Sequence, residues 1–332
     1  MRSSLTTTLA AVAAFTLLTA VPASAHDTQG HGHDRHHPDR PTTYLLDPSG
    51  PAADDVYPEG VAVRGDDFFV SSTTDGTIYR GDLDEPTATP FLLGGQDGRT
   101  SAIGVKVDGR TLLIAGGATG RVWAYDLRTR ALTGSWQVVQ DGTPAFVNDL
   151  AVSPRGDVYV TDSVRPALYR IDAHERRTTG TELLEPFVSF DGTALAYNDG
   201  FNVNGIAISR DGRHAVLAQT STATLFRVGL TDRSVEAIDL GGEPVSGDGL
   251  LLDGRRLQVV EWLGDESSIV TVDLDRGYAS GTVVSRTSDP SFDDPTTIAR
   301  AGRSLLVVNS QFGTRAAGGT PEPFTVSRIP VP

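Results

Sequence analysis

From Thr42 to the C-terminus, hydrophobic and polar positions repeat as a unit: a short apolar strand, a tight turn with Gly or Asp, a β-branched strand, a polar hairpin, and a third strand ending in an aromatic-Arg or Val-Asp pattern. Short strands punctuated by turn residues predict antiparallel meanders, and no amphipathic helix of ten or more residues is predicted. The third strands align as TIYRGDL (77–83), RVWAYDL (121–127), ALYRID (167–172), TLFRVGL (224–230), SIVTVDL (268–274) and FTVSRIP (324–330). Six copies predict an all-β, six-bladed β-propeller. Outer strands follow five of the six, among them ATPFLL (88–93), LTGSWQVV (132–139) and SVEAIDL (234–240); after the sixth the chain stops at Pro332. The segment TTYLLD (42–47) has no blade of its own. It is expected to close the ring as the outer edge of the last blade, covering an otherwise open sheet edge.

The innermost strands read EGVAV from Glu59, IGVKV from Ile103, NDLAV from Asn148, NGIAI from Asn204, DGLLL from Asp248 and a degenerate PTTIA from Pro295. Near-continuous apolar runs mean strands buried on both faces. In a propeller these strands begin around one mouth of the central channel, so Glu59, Asn148, Asn204 and Asp248 are predicted to converge although 89, 56 and 44 residues separate them. Two carboxylates and two amide oxygens form a hard site of charge near −2, suited first to Ca²⁺, less well to Mg²⁺ or Mn²⁺, with Zn²⁺ last. Asn-Asp, Asn-Gly and Asp-Gly are also plain turn dipeptides. Four polar side chains at one repeat phase, otherwise apolar, favour the site.

Composition adds the setting. Arg2, the apolar stretch Leu9 to Val21 and Ala23-Ser24-Ala25 have the layout of a secretory signal over residues 1–25, which predicts a secreted, extracellular protein beginning at His26. Residues 26–41 hold five of the seven histidines and no core-forming side chains, and are expected to be a disordered leader before a single propeller domain, 42–332. The chain has no Cys, so disulfides contribute nothing. Losing Arg2 with the signal takes the basic residues from 28 to 27 against 42 acidic ones, a net charge of −15. That charge and the lack of a basic stripe argue against nucleic acid and membrane partners. A monomer is expected, and Lys106, the only lysine, is read as coding bias.

The motifs YPEGVAV (57–63), FVNDLAVSPRGDVYVTDS (146–163), VNGIAISRDGR (203–213) and SGDGLLLDGRRL (246–257) resemble the regucalcin, gluconolactonase and luciferin-regenerating-enzyme family, over nearly all of residues 50–315. The related diisopropyl fluorophosphatase and paraoxonase propellers show a similar order of glutamate, asparagine, asparagine and aspartate. The resemblance implies a divalent-metal-dependent hydrolase acting on a small lactone or ester. It places Glu59, Asn204 and Asp248 on metal ligands and Asn148 on a fourth-ligand or substrate-facing position, so that Glu59, Asn148 and Asp248 are the catalytic candidates. Asp248 would serve as general base or nucleophile, or attack would come from a metal-bound water.

Sugar-lactone members often carry Arg where this chain has Phe146, and Gly60 stands where a second, structural calcium would want an acid. Second-strand ends face the same mouth, which makes Ser72, Asp162, Gln219, Trp262 and Asn309 candidate substrate-binding walls. The long connection 182–203 carries Phe190, Tyr197 and Phe201, a candidate lid over an apolar substrate or, as aromatics in long loops more often are, rings that pack the loop down. His174 and His214 are expected on lower or outer surfaces, away from the chemistry. The competing reading is a non-catalytic propeller that binds a ligand or protein around a structural metal.

Overall fold

Alternation along each strand builds the fold: in Asp67–Ser72, Phe68 and Val70 join one apolar cluster while Phe69, between them, joins the next. A computed structural model describes residues 40–47, 49, 54–263 and 266–332, apart from the side chains of Trp262 and Leu263; the segment predicted as a secretory signal and all but the end of the predicted leader lie outside the described residues. The strands in chain order are β1 (Thr43–Leu46), β2 (Pro58–Arg64), β3 (Asp67–Ser72), β4 (Ile78–Asp82), β5 (Thr87–Leu92), β6 (Val105–Asp108), β7 (Thr111–Ala115), β8 (Arg121–Asp126) and β9 (Leu132–Gln137). Next come β10 (Val147–Val152), β11 (Val158–Asp162), β12 (Ala167–Ile171), β13 (Thr181–Leu183), β14 (Pro186–Ser189), β15 (Val203–Ile208), β16 (His214–Gln219), β17 (Thr224–Gly229) and β18 (Val235–Ala237). The last are β19 (Gly247–Asp253), β20 (Arg256–Leu263), β21 (Glu266–Leu274), β22 (Gly281–Thr287), β23 (Pro295–Ala301), β24 (Ser304–Asn309) and β25 (Thr325–Pro330). A five-residue helix, Phe312–Ala316, is the longest among the described residues.

The sheets run β6 to β9 with β13 added at the outer edge, β10-β11-β12-β14, β15 to β18, and β19 to β22. An eight-stranded sheet, β2-β3-β4-β5-β1-β25-β24-β23, joins the two ends of the chain. At its centre β1 pairs antiparallel with β25 and parallel with β5. The inner strands lie side by side in sequence, β2 beside β6, β6 beside β10, β10 beside β15, β15 beside β19 and β19 beside β23, and β23 lies beside β2. This is a β-propeller arrangement.

Apolar clusters fill the spaces between neighbouring sheets. Trp123, Ile78 and Phe69 pack between the sheets of β2 and β6, and Tyr44, Phe68, Leu306 and Val326 pack where the chain ends meet. Fully burying one Val, Leu or Phe stabilises by about 1.5–3 kcal/mol, so these clusters carry a fold that has no disulfide. Arg40, assigned from sequence to the disordered leader, is instead held by ion pairs of 2.7 Å to both Asp66 and Asp84.

The long connection after β12 differs from expectation. It contains two short strands: β13 lies parallel along β9, and β14 completes the sheet of β12. Phe190 is buried in the cluster between the third and fourth inner strands, and Tyr197 packs on it and donates its hydroxyl to the Asp162 carbonyl at 2.6 Å. Both rings pack the loop down. Phe201 alone of the three stands exposed, edge-on to Phe146 with centroids 4.8 Å apart.

Candidate metal centre

Each inner strand bulges at its start. Pro58 faces Ser72 and Val61 faces Val70, so Glu59 and Gly60 oppose the single residue Ser71. The same shift falls at Asn148-Asp149 in β10, Asn204-Gly205 in β15, Asp248-Gly249 in β19 and Thr296-Thr297 in β23. Before β6, Ile103 N–H donates to Ala115 O while Ala115 N–H donates to Gly104 O, which puts Ile103 and Gly104 at the same phase. Bulges bend a strand and re-aim one side chain, and they concentrate beside functional sites. The repeat position therefore reads Glu59, Ile103, Asn148, Asn204, Asp248, Thr296. Pro295 pairs with Asn309 as Pro58 pairs with Ser72, so the sixth position is Thr296 and not Pro295, which the sequence alignment placed there.

The backbones of three of the four ligand candidates are tied to a neighbouring sheet. Thr296 Oγ1 donates to the Glu59 carbonyl at 2.7 Å, Gly104 N–H to the Asn148 carbonyl at 2.9 Å, and Thr161 Oγ1 to the Asn204 carbonyl at 2.7 Å. A Cβ on Gly205 would come within 2.1 Å of the Asp248 carbonyl oxygen, so only glycine admits this approach.

The side chains are left with free oxygens. Asn148 Nδ2 donates to Ser163 Oγ at 2.8 Å, and Ser163 spends its own hydrogen on the Val203 carbonyl at 2.8 Å. Only an NH₂ group can face that hydroxyl, which forces Asn148 Oδ1 to the other side. The Asn204 side chain lies near enough to the Asp248 carboxylate to favour its charged form. Among the described residues, Glu59 Oε2, Asn148 Oδ1, Asn204 Oδ1 and Asp248 Oδ1 are all buried oxygens without a hydrogen-bond partner. Orphaned buried acceptors are uncommon and costly, and four at one repeat position are what an oxygen-ligated cation would satisfy.

Electrostatics agree. Burial, then the charges of Asp248 and Asp149, push the Glu59 carboxyl well above its usual range, with Lys106 opposing. Burial, then Asp149, push Asp248 up as well, with the Asn204 side chain opposing. The two acids thus sit close enough to resist shared ionisation, which a cation between them would relieve. Among the described residues no three His, Cys, Asp or Glu side chains cluster as a metal site, and this set relies on two amides beside its two carboxylates.

Four of the five predicted wall positions hold down the loops that enter the inner strands. Ser72 Oγ donates to the Val56 carbonyl; Asp162 Oδ1 accepts from Phe146, Val164 and Arg165 N–H, each at 2.9 Å. Gln219 Nε2 reaches Ala196 O and Asn202 Oδ1, and Asn309 Oδ1 accepts from Asp293 N–H. In the fifth sheet the equivalent position is Glu261, which pairs with Gly247 and accepts from Ser246 N–H, rather than Trp262 one residue on. Trp262 pairs with Ser267, and its side chain lies outside the described residues. His174 and His214 fall at the strand ends opposite the bulges, after β12 and at the start of β16. Two clefts of about 690 and 750 Å³ lie elsewhere, around Arg170 and Glu182 and around Arg110 and Arg177.

Sequence reasoning missed Ser163, Thr161, Asp149 and Lys106. For Asp149 a signal existed: the second bulge residue is glycine at positions 60, 104, 205 and 249, and of the two that break the series, Asp149 and Thr297, only Asp149 is charged.

No protein-family model matches the chain, and no curated protein matches its sequence. Among solved structures it is similar to the Malassezia sympodialis allergen Mala s 1, with TM-score 0.62 and 13% identity over 87% of this chain and 96% of that one. A calcium-binding regucalcin from Agrobacterium tumefaciens gives TM-score 0.60 and 17% identity over 87% and 93%. Virginiamycin B lyase from Staphylococcus aureus gives 0.56 and 10% over 87% and 98%. These likenesses establish the shared propeller fold.

Proposed function

We propose that this chain is a secreted, calcium-dependent hydrolase of small lactones or esters, acting at the mouth of a six-bladed propeller whose ring β1 closes. The observation that carries the reading is the set of four unpartnered buried oxygens on Glu59, Asn148, Asn204 and Asp248. The regucalcin of similar fold is named as calcium-binding, which agrees with this donor set.

These four residues would hold the cation. When bound, it would polarise the substrate carbonyl and stabilise the oxyanion that forms. Asp248, whose Oδ1 is unpartnered, takes the proton of the attacking water while the water oxygen bonds to the carbonyl carbon; the ring or ester C–O bond breaks, and the proton passes to the leaving alkoxide. Phe146 and the exposed Phe201 supply an apolar wall for the acyl portion and keep bulk water off it.

The test is proton release from a panel of γ- and δ-lactones and aryl esters, with calcium added and then chelated. The reading expects turnover that is lost in Asp248→Asn while calcium remains bound. Silence across the panel, together with calcium-raised melting, would instead favour the non-catalytic propeller with a structural metal.

A further inference from the structure

Lys106, the only lysine of the chain, is no accident of composition. It lies on β6 with Nζ 3.1 Å from Asp149 Oδ1; the side chains are 24% and 4% exposed. Asp149 Oδ1 also accepts from Leu150 N–H at 2.8 Å, and Oδ2 lies 3.5 Å from Ile206 N. The seat for this carboxylate is built: a Cβ on Gly104 would fall 2.6 Å from Asp149 Oδ1, so glycine is needed there. Asp149 shares its bulge with Asn148, and its charge acts on both Glu59 and Asp248.

We propose that Lys106 is a tethered counter-ion that fixes the centre at one divalent cation, by neutralising the Asp149 carboxylate that a second cation would otherwise claim. The inference rests on the metal reading above. Glu59, Asp248 and Asp149 with Lys106 carry a formal charge of −2, matched to one divalent ion; without the ammonium the charge is −3, more than one such ion offsets. Removing one partner of a buried ion pair leaves an uncompensated charge, which favours uptake of another cation.

Calorimetric titration of the mature chain with calcium chloride at fixed salt tests this. The wild type takes up one Ca²⁺ per chain and Lys106→Met takes up two, while Lys106→Arg, which keeps the charge, returns to one. Asp149→Asn leaves the ammonium unbalanced beside Glu59 and binds one Ca²⁺ at least tenfold more weakly, an arm that decides the matter even if Lys106→Met does not fold. A stoichiometry of one in Lys106→Met, or wild-type affinity in Asp149→Asn, overturns the counter-ion role alone. A wild type that takes up no calcium overturns the metal reading and this inference with it.

Discussion

An asparagine can present its oxygen or its amide hydrogens, and Ser163 decides which for Asn148. Ser163→Ala removes the acceptor that holds Nδ2, so calcium affinity should fall about tenfold, ~1.4 kcal/mol, with little change in melting temperature; a calcium titration beside a thermal melt separates the two effects. Gly205 acts through space instead. Gly205→Ala would drive a Cβ against the Asp248 carbonyl, and overpacking of this kind costs about 1–3 kcal/mol, measurable by urea unfolding. Residue identities at the repeat position were legible because repeat phase alone put Glu59, Asn148, Asn204 and Asp248 in register. Ser163 and Lys106 were not, because each acts across a sheet boundary, on Val203 and on Asp149, and no local pattern encodes that pairing.

At the scale of the element, β1 concentrates the most consequence in the fewest residues. Its Tyr44 is fully buried, lies 4.8 Å from Phe68 and donates its hydroxyl to the Leu83 carbonyl. Tyr44→Ala should therefore destabilise by about 3–5 kcal/mol, read from the urea midpoint, because it opens a cavity where the first and last strands of the eight-stranded sheet meet. Pairing of this segment with β25 was legible in its isolated strand pattern; its parallel contact with β5 was not, since nothing in TTYLLD names a second partner. The strand alignments held to within a residue or two for the third strands. In β23 they slipped by one, because Pro-Thr-Thr lacks the polar-Gly pair that marks the bulge in β2, β15 and β19. In the connection 182–203 the sequence allowed both a lid and a packed loop, and the packing of Phe190 and Tyr197 shows only once β14 fixes where the sheet edge lies.

For the whole molecule, burying two carboxylates at one centre would make a bound cation part of the fold's stability. Free calcium at 100 times its dissociation constant should add about 2.7 kcal/mol, and chelation should remove it, seen as a reversible shift of the thermal melt. Glu59→Gln with Asp248→Asn should abolish that shift while leaving a folded propeller, because neutral amides keep the shape and discard the charge. The central claim is that four side-chain oxygens from four sheets share one cation, and a crystal structure of the protein grown with calcium tests it most directly. The account predicts a single calcium within about 2.3–2.6 Å of Glu59, Asn148, Asn204 and Asp248 oxygens. Those side chains turned apart, or a calcium bound only elsewhere, would contradict it.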